Sequence, residues 1–197
     1  MGVLQAIGML VLSVLIVLLW PRKAYAHCDT MDGPTVADGK KALETNNINY
    51  ALKWIAPEHT EELSGIFARC VKVRALGGDA KELADRYFLE SLVRLHRMGE
   101  GMPYTGIKPS GTPIDEKVLA ADKSIEMGNL TPLEGMVDAE ELPELEERFA
   151  KVMSLKDFDV NDVEAGREYV EAYVSFFKFA EGEEHEHGHG HASGHCV

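Results

Sequence analysis

Basic residues are scarce in this chain. Lys and Arg number 20 against 33 Asp and Glu, a formal net charge of −13 over 197 residues. Binding to a phosphate backbone needs clustered cations, so nucleic acid is not expected as a partner. Cysteine is also scarce. Cys28, Cys70 and Cys196 are too few for a disulfide framework, and an odd count leaves one thiol unpaired within a monomer. The chain has no phosphate-binding glycine loop, dinucleotide fingerprint, C-x-x-C pair or nucleophile elbow. Alternation of apolar and polar residues, the mark of half-buried strands, is missing as well. The rest is ordinary: 45% hydrophobic and 27% charged residues, enough to bury a core in one domain.

One long apolar run stands at the start. Residues 3–20 are broken only by Gln5, Gly8 and Ser13, and Ala24-Tyr25-Ala26 follows. Small residues flanking a variable one form the site that signal peptidases read, so residues 1–26 read as a secretory signal that would place the protein outside the cytoplasm. The alternative is an uncleaved membrane anchor, because the run approaches the ~18 residues that span a bilayer.

The body carries an internal repeat. At an offset of 82, residues from about Lys41 to Leu95 align without a gap. Lys41/Lys123, Glu44/Glu126, Phe67/Phe149 and Tyr87/Tyr169 are identical, and Leu63/Leu145, Val71/Met153 and Leu92/Val174 keep the apolar register. Each copy reads as helices. Leu63, Ile66, Phe67, Cys70 and Val71 recur at helical spacing, as do Leu142, Leu145, Phe149 and Val152. Asp79-x-x-Glu82 and Asn161-x-x-Glu164 resemble capping boxes ahead of helices near 80–98 and 162–180. Asn46-Asn47 and Gly128-Asn129 suit helix exits. The expected fold is all-α: repeat 1 over 27–98, a Gly/Pro-rich connector over 99–113, repeat 2 over 114–180, and a flexible His-rich tail over 181–197.

Two regions carry metal-binding chemistry. Cleavage after Ala26 would make His27 the first residue, offering an α-amine and an imidazole to one ion, with the Cys28 thiolate and the Asp29 carboxylate beside them. Imidazole suits zinc, copper and nickel, and thiolate suits the softer of these. His96 lies on the stripe Phe88, Leu92, Leu95. It reads either as a structural histidine bonded to a carbonyl or as a further ligand near the trio, with Glu100 beside it. The tail places His185, His187, His189, His191 and His195 among Gly, Glu and Ala, with Cys196 last but one, a composition that cannot form a core and that binds divalent ions. The acidic stretch from Glu134 to Glu147 reads as a solvated face, and Cys70 as a small buried hydrophobe.

His27-Cys28-Asp29 resembles the mature start of nickel superoxide dismutase. That resemblance implies nickel held by the amine and imidazole of His27 and by the amide and thiolate of Cys28. The second thiolate of that family, at mature position six, is here Asp32. A wider likeness joins His27-Cys28-Asp29-Thr30-Met31-Asp32-Gly33-Pro34 and the stretch Arg94 to Gly106. In these the chain resembles a group of uncharacterised exported bacterial helical proteins without assigned biochemistry. The expectation is therefore an exported, non-catalytic protein that stores, buffers or delivers a nickel-, zinc- or copper-type ion. Two alternatives stand beside it: a redox metalloenzyme using the His27-Cys28 site, and a helical interaction module with incidental metal affinity.

Overall fold

A computed structural model describes residues 27–182. Residues 1–26, expected to be a signal, and the tail residues His185, His187, His189, His191, His195 and Cys196 lie outside the described residues. Within them the fold is all-α, built from seven α-helices: α1 (Pro34–Thr45), α2 (Asn49–Leu52), α3 (Thr60–Arg74), α4 (Gly78–Gly99), α5 (Glu116–Met127), α6 (Leu142–Leu155) and α7 (Val163–Glu181). Short 3-10 turns, Pro57–His59 and Thr131–Leu133, sit between them. No described helix is long and apolar enough to cross a membrane.

Local chemistry sets the helix ends. Gly33 precedes α1 and Pro34 opens it, where a missing N–H does no harm. Asn46 closes α1 at φ 53°, and Gly128 closes α5 at φ 72°, the left-handed turn that brings N–H groups back to the last carbonyls, those of Ala42 and Ser124. The two expected capping boxes are not formed. Helix α4 begins one residue before Asp79, because Gly77 and Gly78 both take positive φ and turn the chain sharply enough to start the helix early. At α7 the cap is Asp162, not Asn161: its carboxylate accepts from the Ala165 N–H at 3.0 Å.

Helices α3 and α4, joined by a short turn, pack against each other, and so do α6 and α7; α1 lies on α4 and α5 on α7. The apolar stripes meet in one core. Leu63, Ile66, Phe67 and Cys70 are buried on α3, whereas Leu142 at the start of α6 stays exposed. Rings interlock across the hairpins, Phe67 with Phe88 at 5.2 Å and Phe149 with Phe176 at 5.5 Å between centroids. Full burial of each such side chain contributes roughly 1.5–3 kcal/mol.

The connector after α4 packs onto the body, with Ile107 buried. It also clamps the start of the chain. The Lys108 N–H donates to the Asp29 carbonyl at 2.8 Å, and the Met31 N–H donates to the Lys108 carbonyl at 3.0 Å. Asp32 accepts from the Ser110 hydroxyl and from the Gly111 N–H. Residues 27–33 are thereby held among the connector, α4, α5 and α7.

Candidate functional site

His27 is anchored by two helices. Its Nε2 lies 2.9 Å from Asp122 Oδ2 on α5 and 3.0 Å from the Tyr173 hydroxyl on α7. Tyr173 in turn donates to Asp122 Oδ1 at 2.7 Å. Burial, then the Asp122 charge, pushes the Tyr173 phenol well above its ordinary range, so it remains a donor. A carboxylate only accepts. In the neutral ring the hydrogen therefore sits on Nε2, and Nδ1 carries a bare lone pair. That Nδ1 is buried without a hydrogen-bond partner among the described residues.

Cys28 and Asp29 face a second buried group. Arg97, 1% exposed, places Nε 3.0 Å from Asp29 Oδ2, and its Nη1 donates to Glu100 Oε2 at 2.9 Å. Burial pushes the Asp29 carboxyl up to about 6, with Arg97 pulling against it and Glu100 adding to it. Burial also raises the Cys28 thiol strongly, reinforced by Glu100 and Asp29 and only partly offset by Thr35 and Arg97. Cys28 is thus a protonated thiol at neutral pH, and a metal ion binding it must displace that proton.

His96 faces inward, and the carbonyl-bonded arrangement is present. Its Nδ1 lies 2.7 Å from the Trp54 carbonyl oxygen, to which it donates. Burial lowers the imidazole's affinity for a second proton, with Glu100 and the Trp54 carbonyl opposing. Its Nε2 is therefore a bare lone pair, buried without a hydrogen-bond partner among the described residues and 3.8 Å from Glu100 Oε2. Beside it lies a cavity of about 20 Å³ lined by Trp54, Glu100 and Arg167, room for about one water.

The residues singled out by sequence thus divide. His27 turns toward α5 and α7, Asp29 toward α4, and Cys28 lies between them. The Trp54 ring joins the two sides, 5.8 Å from the His96 ring and 6.1 Å from that of Tyr173. Among the described residues, no three His, Cys, Asp or Glu side chains are placed together to hold a metal ion. The usable donors are single atoms: Nδ1 of His27, Sγ of Cys28 and Nε2 of His96. Both histidines share the pattern of metal-ligating imidazoles, with one nitrogen fixed on a carboxylate or carbonyl and the other left bare.

Asp122, Tyr173 and Arg97 escaped the sequence reading. Tyr173 sits on an apolar stripe and reads as core, and neither Asp122 nor Arg97 carries a motif that marks it out. A family model described as a family of unknown function, DUF6448, matches residues 32–179. The chain belongs to this family. The DUF6448 match spans all seven helices up to Phe179 and begins at Asp32, so the His27-Cys28-Asp29 trio lies just ahead of it. No curated protein and no solved structure matches the chain.

Proposed function

We propose that the protein is exported, cleaved after Ala26, and holds a transition-metal ion at the new terminus for storage, buffering or delivery. The observation that carries this reading is the bare, buried Nδ1 of His27 with Nε2 tied to Asp122. Nδ1 is the ring nitrogen that closes a six-membered chelate with the residue's own α-amine. The α-amine becomes available on cleavage, with an ordinary pKa near 8. Cys28 and His96 are the further donors, and the His-rich tail collects ions separately. Nitrogen donors with one thiol suit nickel, copper or zinc. The strongly raised Cys28 thiol weighs against redox turnover, and ligation there requires the ion to displace the thiol proton.

The test joins N-terminal sequencing and metal analysis of protein from the native host. Chains starting at His27 and truncated at Gly182 are expected to retain about one equivalent of metal, and His27→Ala to lose it. Metal at trace level in both the full and the truncated forms would overturn the reading.

We also propose that the helical body arose by duplication. Helices α1 and α5 begin 82 positions apart, as do α3 and α6, and the packing of α1 and α3 on α4 parallels that of α5 and α6 on α7. The polar centre breaks this pattern: Asp122, Tyr173 and His96 stand opposite Lys40, Ser91 and Lys178. The site belongs to the union of the copies, not to either one.

A further inference from the structure

A cleft of about 310 Å³ opens on the far side of the Asp122–Tyr173 pair. Its walls are aromatic: Trp54, Tyr169 and Tyr173. Four charged residues line it, Asp38, Lys53, Asp122 and Glu126, which leaves a formal excess of two negative charges.

Lys53 is already satisfied. Its Nζ bonds Asp38 at 2.9 Å and lies 5.1 to 5.8 Å from the ring centroids of Phe158, Trp54 and Tyr169. An ammonium on a tether thus occupies one corner of the aromatic lining, held by rings and a carboxylate together. Among the described residues the other two carboxylates meet no buried ammonium or guanidinium: Asp122 accepts from the Tyr173 hydroxyl and from His27. Glu126 pairs only with Lys123 in an exposed contact that water screens. Asp122, about one-third exposed, has no Lys or Arg partner among the described residues.

We propose that this cleft binds a small organic ammonium ion carrying a flat apolar body. The cation faces Asp122 and Glu126, and the body lies against Tyr169, Tyr173 and Trp54. The negative lining disfavours carboxylates and phosphates. A bare metal ion would leave the aromatic walls unused. The volume instead falls at the low end of small-molecule sites. This site is independent of metal at His27, although Asp122 borders both.

The test uses the full chain carrying Trp20→Phe, which leaves Trp54 as its one indole. The protein is treated with chelator, so the outcome does not depend on metal. Phenethylammonium is titrated while Trp54 emission is followed, with 2-phenylethanol and phenylacetate as uncharged and anionic counterparts. A saturable change is expected for the amine at concentrations at least about tenfold below those needed for the alcohol. Phenylacetate is expected to produce none. Glu126→Gln should weaken the amine about two- to fivefold, and Tyr169→Leu about tenfold. Glu126 is exposed on α5, so its variant keeps the fold and decides the matter if Tyr169→Leu does not fold. An alcohol response matching the amine, no saturable amine response up to millimolar concentration, or a Glu126→Gln curve identical to the parent would overturn the proposal.

Discussion

The Asp122 carboxylate takes the His27 imidazole at 2.9 Å and thereby decides which ring nitrogen is left bare. Residues 95 positions apart set a tautomer that neither specifies alone. Removing Asp122 leaves Nε2 only the Tyr173 hydroxyl, which can donate as well as accept, so either nitrogen can then carry the hydrogen.

For the processed protein, Asp122→Ala is expected to lower metal affinity by about 10- to 100-fold, the usual effect of losing a partner that orients a ligating histidine. Competition against a chromophoric chelator with nickel, copper and zinc reads this directly. Affinity equal to the parent for all three would separate Asp122 from any ligand-orienting role.

Arg97 bridges the buried Asp29 carboxylate and the part-buried Glu100 carboxylate. Arg97→Met leaves both acids without their counter-charge and is expected to destabilise the fold by roughly 3–5 kcal/mol. For a chain of this size that is a drop of about 6–20 °C in Tm. Lys123→Met, in the exposed pair with Glu126, should shift stability by no more than about 0.5 kcal/mol. Thermal denaturation followed by circular dichroism compares the two, and equal shifts would refute the contrast.

Gly33 lies against the His27 carbonyl so closely that an added Cβ would collide with main-chain oxygen. Gly33→Ala must therefore move residues 27–33, although α1 beyond it stays intact. Faster hydrogen exchange is expected at Thr30, Met31 and Gly33, whose amides bond within this turn or to Lys108. Unchanged protection at those three amides would show that the turn absorbs a methyl group without loss.

Asp85 supplies a pH dependence far from the site. Burial works to raise its carboxyl, but hydrogen bonds from Arg74 and Lys81 outweigh it and hold the carboxyl below the usual range. Its folded pKa is depressed, so its contribution is present above the unfolded value near 4 and is lost as pH falls through the folded value. Asp85→Asn should therefore be less stable than the parent at pH 7, by about 1 kcal/mol. The gap should close below about pH 4. Urea unfolding at pH 7 and pH 3 measures both ends, and a gap that widens in acid would contradict the sign.

Helical class and register were legible because burial repeats locally. Leu63, Ile66, Phe67 and Cys70 announce their face at a spacing any helix must obey. Exits at Asn46 and Gly128 were legible for the same reason, since each residue type answers a local backbone need. Starts were harder. Competing acceptors sit side by side at Asn161 and Asp162, and the glycine pair at 77–78 begins α4 without any side-chain cap. The partners of His27 were not legible at all. A tyrosine on an apolar stripe reports that its ring is buried, and nothing in its neighbours reports where the hydroxyl points. The His27–Tyr173 contact spans 146 positions and belongs to the packing of α5 on α7.

If the chain is cleaved after Ala26, as proposed, the burial of His27, Cys28, Asp29 and Thr30, none more than 6% exposed, imposes an order on events. A protease must thread several residues through its groove. Once the helices close around this segment, the residues just after the proposed cut are out of a protease's reach. Under the proposed processing, trimming then has to come before collapse. On that reading, molecules that fold before trimming would keep residues 1–26, and with them a blocked nitrogen at His27.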